Sequence, residues 1–199
     1  ASRKGATLLD RRLYLPAVWF TEDYQERFGA CAIPPQTRFQ TKHELAAELL
    51  TQAVQGGRLR ARWLVCDEGF GDDPALLARA EALHLGYLAE VPCDTQVWPL
   101  TEPAKGVPRP APQTWVPPQT ASGKGPAPRR ARVHPDSPSK ERVDRIAADL
   151  PVARWQRYRI LEGSKGPLMA DFAAVRAVAV RDRLPAGEVW VVLRRTVDG

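Results

Sequence analysis

The stretch from Trp63 to Gly71 constrains the fold of this chain more than any other. Four consecutive apolar residues, Trp63 to Cys66, are typical of a strand buried on both faces, and an acidic turn follows them directly. After the turn, Asp73 offers a helix cap and Pro74 stands at a first helical position. The sequence therefore predicts a strand, an acidic turn and a helix, which is an α/β arrangement.

Asp67 is the first candidate for a functional residue. In open α/β sheets, ligands bind outside the carboxyl ends of the strands, and Asp67 follows the last strand residue. A hard divalent ion such as Mg²⁺ takes carboxylate oxygens from one or two residues and completes its coordination with water and phosphate. The alternative is that Asp67 or Glu68 only accepts hydrogen bonds from the loop.

Charge is unevenly distributed along the 199 residues. Residues 1–100 carry 11 Lys/Arg against 13 Asp/Glu, which gives −2, and residues 101–199 carry 18 against 10, which gives +8. A basic half suits a polyanionic partner, most commonly nucleic acid. The alternative is a basic face that contacts only solvent.

Several classes of protein are not indicated. The three cysteines form no C-x-x-C pair, so free, buried thiols are expected rather than a disulfide framework or a zinc site. Nucleotide-binding glycine motifs, metal-ligand histidine spacing and a serine nucleophile elbow do not occur. Neither a membrane-spanning apolar run nor a secretory segment is seen, so the chain is expected in the cytoplasm with no membrane partner.

Turn signals divide the chain into alternating elements and then a β-rich end. The pattern predicts strands at 5–15, 58–66 and 87–92, helices at 41–55 and 74–85, a short helix after Pro138, and strands at 157–161, 172–180 and 189–195. Eleven prolines lie between Pro99 and Pro138, and this density predicts an exposed loop or linker without a core.

Several motifs in order carry a resemblance to a known family. They are Leu13-Tyr14-Leu15-Pro16 with Trp19, Val65 to Gly71, Gly86 to Pro92, Lys165-Gly166-Pro167, and Trp190 to Arg195. Together they resemble bacterial insertion-sequence transposases of the DDE class, over most of the chain. The resemblance implies a ribonuclease H-like α/β fold, a mixed sheet with flanking helices, interrupted by a β-rich insertion after the fifth strand.

The resemblance also implies a chemistry. In this family two aspartates and a glutamate hold two divalent ions, Mg²⁺ or Mn²⁺, and Asp67 matches the second aspartate. The first aspartate would precede Ala1 and the glutamate would follow Gly199, so we expect the chain to be an internal piece of a transposase. Glu68 and Glu90 match neither missing ligand. The implied partner is double-stranded DNA, as transposon ends and target, with self-association on that DNA and a nucleoid-associated location.

Three regions and one set of basic residues complete the predictions. Residues 1–93 are expected to form part of the catalytic core, 94–138 a proline-rich basic linker, and 139–199 the β-rich insertion. The residues expected to contact DNA are Lys124, Arg129, Arg130, Arg132, Lys165, Arg194 and Arg195.

The alternative function is a non-catalytic remnant that binds DNA or the transposase. A phospho-accepting Asp67 is disfavoured, because the acids and the basic partner of such a site are missing.

Overall fold

The structure of the protein, a computed structural model, describes residues 8–57, 60–116, 130–163 and 166–197. The chain forms two compact units, Ala1–Val91 and Pro92–Gly199. In the described ranges, no helix has the length and apolar character needed to cross a membrane.

The first unit combines helices with one pair of parallel strands. Its elements are 3₁₀ helices at Ala17–Phe20 and Glu22–Tyr24, α1 (Gln25–Ala30), α2 (Lys42–Gln55), β1 (Trp63–Cys66), α3 (Glu68–Gly71), α4 (Pro74–Ala82) and β2 (Gly86–Ala89). Strands β1 and β2 pair in parallel, with Trp63 opposite Gly86 and Cys66 opposite Ala89. The predicted order of strand, acidic turn, helix and parallel strand is confirmed.

Both long helices of this unit begin at side-chain caps. At the start of α2 the Thr41 hydroxyl accepts from the Glu44 backbone N–H at 3.2 Å, and the Glu44 carboxylate accepts from the Thr41 N–H at 2.7 Å. The hydrogen bonds that the Glu44 carboxylate accepts from the Thr41 backbone N–H and from the Thr41 hydroxyl lower the pKa of Glu44. At the start of α4 one carboxylate oxygen of Asp73 accepts from the N–H groups of Ala75 and Leu76, both at 2.8 Å. Each cap satisfies backbone donors that the first helical turn leaves unpaired.

Three local expectations are wrong. Residues 8–16 form neither strand nor helix, and no described segment pairs with them, which a strand requires. Strand β1 is not buried on both faces, since Trp63 and Val65 are 67% and 69% exposed. Cys31 and Cys93 are exposed instead of buried. The apolar run therefore predicts the strand at β1 correctly but does not predict its burial.

The second unit is built on one antiparallel sheet and one helix. Its elements are β3 (Gln96–Pro99), β4 (Thr114–Trp115), β5 (Arg132–Val133), β6 (Glu141–Arg142), α5 (Val143–Asp149), a 3₁₀ helix at Val152–Arg154, β7 (Gln156–Gly163), β8 (Gly166–Arg181) and β9 (Leu184–Thr196). Strand β8 is central. It pairs with β9 along one edge and with β7 and then β3 along the other, while β6 pairs with β3 and β4 with β5.

One face of this sheet forms the core with α5. The core residues are Val97, Val143, Ile146, Leu150, Ala173, Val175, Ala177 and Leu193. Gln96–Pro99 falls inside the stretch 94–138 that was predicted as a linker, yet it is a strand of the sheet. The reason is that the proline-dense part begins only at Pro99, and the two residues directly before it, Val97 and Trp98, are apolar. The whole is a mixed α/β architecture, consistent with the predicted ribonuclease H-like class.

Asp171 is the buried charged residue of the sheet. On β8 it is 7% exposed, and its carboxylate accepts from the Arg157 Nε at 2.9 Å and from the Arg195 Nε and Nη2, each at 3.2 Å. Arg195 also lies over the Trp155 ring, 4.3 Å from its centroid. The hydrogen bonds from Arg157 and then Arg195 lower the pKa of Asp171 against the opposing effect of burial.

This cluster makes the second unit sensitive to acid. Because the pKa of Asp171 is lowered on folding, the carboxylate stabilises the fold above its ordinary pKa of 3.8, and that contribution is lost as the pH falls through the folded-state pKa. Asp171→Asn should therefore unfold at lower urea than the wild type at neutral pH, and the difference should shrink as the pH falls below about 4. Urea unfolding across this pH range measures it. The exposed Asp149→Asn is the control, and a difference that stays constant down to about pH 3 would contradict the assignment.

Candidate active site

Asp67 lies where the sequence predicts it, at the carboxyl end of β1. It is exposed and holds the N-cap position of α3, with an extended backbone (φ −77°, ψ 179°). Its carbonyl oxygen accepts from the N–H groups of Phe70 and Gly71, at 3.1 and 2.7 Å. The backbone of Asp67 is therefore fixed by the short helix that follows it.

The Asp67 carboxylate, by contrast, is not used by the turn. It makes no capping hydrogen bond, although it occupies the position at which aspartate commonly caps a helix. Asp73, six residues later, does use its carboxylate to cap α4. In the parts of the chain that the structure describes, Asp67 thus presents an exposed, unshared carboxylate on a fixed backbone, which does not agree with the alternative that it serves only the loop.

A close backbone contact joins the ends of β1 and β2. The N–H of Glu90 donates to the carbonyl oxygen of Cys66 at 3.0 Å, which continues the parallel ladder to the residue after β2. Gly71 is buried against the same residue, and a Cβ placed on it would lie 1.9 Å from the Glu90 carbonyl oxygen. Only glycine fits there. Asp67 and Glu90 consequently follow neighbouring parallel strands and leave the sheet at the same edge.

His43 connects α2 with the acidic turn. Its Nε2–H donates to the Gly69 carbonyl oxygen at 2.7 Å, and its ring packs edge-on against Phe70 with centroids 5.2 Å apart. The other ring nitrogen, Nδ1, lies 3.8 Å from a carboxylate oxygen of Asp73. These three contacts bind the turn after Asp67 to a helix that is distant in sequence.

An open cavity of about 330 Å³ lies beside Asp67. Its lining is mostly apolar and consists of Ala46, Leu50, Leu64, Val65, Cys66, Asp67, Phe70 and Leu76. Burial, followed by the negative charges of Asp67 and Glu90, raises the pKa of the Cys66 thiol. A raised pKa favours the protonated thiol, which is less nucleophilic than the thiolate.

The donor chemistry at Asp67 fits a hard divalent ion. Mg²⁺ and Mn²⁺ prefer carboxylate oxygens, and Asp67 offers such oxygens without a competing hydrogen bond. One carboxylate does not form a complete site. Among the described residues, no group of three His, Cys, Asp or Glu side chains could hold a metal ion.

The residues predicted to contact DNA have different surroundings. Lys124, Arg129 and Lys165 lie outside the described residues. Arg130, Arg132 and Arg194 are exposed. Arg195 hydrogen-bonds to Asp171 and lies over the Trp155 ring. It is on the opposite side of the sheet from Arg194, because successive residues of a strand point to opposite faces. Arg195 therefore has a structural role that the sequence did not indicate.

Comparison with known proteins decides the family. A family model described as DDE superfamily endonuclease matches residues 1–167, which is most of the chain. The chain belongs to the DDE superfamily endonucleases. No curated protein and no solved structure matches it.

Membership confirms the resemblance to DDE-class transposases that the motifs predicted. This DDE superfamily endonuclease has a transposase-like domain, for which DNA is the implied substrate and divalent ions are the general cofactors. The matched residues include all of the first unit and therefore Asp67, Gly71 and His43.

Gly71 gives a direct test of how the turn is built. Gly71→Ala places a methyl group against the backbone of Glu90, so it should lower the free energy of unfolding by about 1–3 kcal/mol, as overpacking does. Gly69→Ala is the matched control in the same short helix, because its Cβ would make only an ordinary contact, 3.4 Å from Asp67 Oδ1. Urea unfolding measures both variants. Equal stability of the two would show that the contact between Gly71 and Glu90 is wrongly described.

Proposed function

We propose that this protein is the Asp67-bearing part of a bacterial insertion-sequence transposase, which cuts DNA and transfers the cut strand by metal-dependent phosphoryl transfer. The observation that carries the proposal is the unshared Asp67 carboxylate at the carboxyl end of a strand, within a DDE superfamily endonuclease. In this role Asp67 is one of three carboxylates and binds Mg²⁺ or Mn²⁺ directly.

The construction of the turn supports this role. A metal ligand has to be held in place while its oxygens remain free, and Asp67 combines a backbone fixed by two hydrogen bonds with a carboxylate that accepts none from the turn. His43 holds the same turn from α2, and the backbone of Glu90, after β2, lies against it at Gly71. These contacts involve the backbone, Phe70 and Asp73, so they position Asp67 without occupying its oxygens.

A pair of bound divalent ions would supply the activation of the attacking hydroxyl group and the stabilisation of the leaving oxygen. Asp67 would hold an ion through its carboxylate. The resemblance assigns the remaining two ligands to an aspartate before Ala1 and a glutamate after Gly199. Glu90, at the same edge of the sheet, adds negative charge close to Asp67 but matches neither ligand.

The second unit supports DNA as the substrate. Residues 92–199 carry 18 Lys/Arg against 11 Asp/Glu, which gives +7, whereas residues 1–91 carry 11 against 12, which gives −1. Positive charge of this size releases counterions from DNA and gives binding that weakens as salt is added. Exposed Arg130, Arg132 and Arg194 are the described residues that we assign to this contact.

Replacing Asp67 separates cleavage from DNA binding. Asp67→Asn keeps the size of the side chain and removes its charge, so metal-dependent nicking of transposon-end DNA should fall by orders of magnitude while DNA affinity is kept. The assay needs a polypeptide extended far enough to include all three carboxylates, and it compares nicking with binding of the same duplex.

Asp72→Asn is the matched control, because Asp72 is an exposed acid at the end of the same short helix. It should nick DNA at the wild-type rate. Wild-type nicking by Asp67→Asn would refute the role of Asp67. Metal-dependent cleavage by the 199 residues alone would refute the assignment of the other two ligands and would point to acids such as Glu68 and Glu90.

A further inference from the structure

The face of the second unit's sheet that lies opposite α5 is exposed and rich in aromatic and basic residues. Its members are Tyr158, Phe172, Arg176, Trp190, Val192 and Arg194, which we call the outer face. Arg176 pairs with Trp190 and Phe172 with Arg194 across β8 and β9, and directly opposed residues share a face. Their sequence neighbours Ala173, Val175 and Leu193 belong to the core, so the outer-face residues point away from it.

The part of the outer face around Trp190 and Tyr158 is exposed to solvent. Trp190 is 61% exposed, Val192 53% and Tyr158 50%, although they lie in the middle of paired strands. At the other end of the face Trp98 is buried, and its indole N–H donates to the Pro138 carbonyl oxygen. Within the described residues of the second unit, one end of the outer face is therefore covered and the aromatic part is not. An exposed tryptophan in a sheet needs a partner to gain from its apolar area.

Charge indicates what that partner is. The Arg176 guanidinium lies over the Trp190 ring, 5.1 Å from its centroid, and also pairs with Glu188. Arg194 has no acidic partner in the described ranges, and it borders the aromatic side chains. The balance of +7 over residues 92–199 favours a polyanion over a second copy of the same unit.

We propose that the outer face binds unpaired DNA, with bases stacked on Trp190 and Tyr158 and phosphates held by Arg194 and Arg176. A duplex presents phosphates but keeps its bases stacked inside, so it would leave the two aromatic rings without partners. A single strand offers both groups, and sheets that carry exposed aromatic and basic side chains are a general platform for it. The inference rests on the proposed function in that it takes DNA as the substrate.

The distances on the sheet suit a short strand. Trp190 on β9 pairs with Arg176 of β8, and Tyr158 on β7 pairs with Ala170 of β8. Arg176 and Ala170 are six residues apart along β8, and β7 and β9 lie on opposite edges of that strand. With a rise of about 3.4 Å per residue and a strand spacing of about 4.8 Å, the two aromatic positions are roughly 20 Å apart. A footprint of a few nucleotides is sufficient to reach both.

The test is the affinity of the 199-residue chain for labelled oligodeoxythymidine of about 15 nucleotides and for a duplex of equal length, by fluorescence anisotropy. Trp190→Ala should weaken single-strand binding by about 5- to 100-fold and leave duplex binding within about twofold. Trp190→Phe, which keeps an aromatic ring, should restore most of the affinity. Arg194→Ala should make the single-strand salt dependence shallower, by about 0.7 in the slope of log K against log salt.

Trp63→Ala is the matched control, because Trp63 is 67% exposed but lies on β1 in the first unit. It should bind single strands like the wild type. Wild-type affinity of Trp190→Ala, or an equal loss for Trp63→Ala, would overturn the inference. So would self-association without DNA that Trp190→Ala abolishes, since the face would then dock a second copy. None of these outcomes affects the nicking test of Asp67. If Asp67→Asn nicked DNA like the wild type, the oligonucleotide affinities would still be as predicted here.

Discussion

The contact between the ends of the two parallel strands is the constraint on which the candidate site depends. The N–H of Glu90 continues the ladder onto Cys66, and Gly71 lies directly on the Glu90 backbone, where a side chain does not fit. The chain after Asp67 must therefore turn tightly in one short helix. That turn fixes the Asp67 backbone through two hydrogen bonds, and the carboxylate remains free because the helix is capped by backbone geometry alone.

In the second unit, side chains alternate between the two faces of the sheet, and the two faces have different surroundings. Along β8 and β9 one face packs under α5, while the other carries Trp190 and Arg194 into solvent. Arg194 and Arg195 are adjacent in sequence, yet Arg195 hydrogen-bonds to Asp171 on the core side of the sheet, whereas Arg194 lies on the outer face. A count of basic residues could not separate the two. Their register on the sheet does.

Local signals in the sequence were sufficient for much of this fold. The capping pattern at Thr41, the proline at Pro74 and the apolar run before Asp67 each act over a few residues, and the structure has helices and a strand where they predict them. The contacts of His43 and Gly71 join segments that are distant in sequence, and no local pattern indicates them. The exposure of Trp63 was missed for the same reason, because burial depends on which other elements cover a strand.

The central claim is that the Asp67 carboxylate is free to bind a divalent ion, and its most direct test is the paramagnetic effect of Mn²⁺ on the backbone amide resonances of the 199-residue chain. Titration with Mn²⁺ should broaden the resonances of Asp67 to Gly71 and of Glu90 first, because these residues form the turn after β1 and the neighbouring end of β2. In Asp67→Asn this broadening should disappear while the remaining spectrum is kept. Broadening that is centred elsewhere, or that is unchanged in Asp67→Asn, would contradict the account.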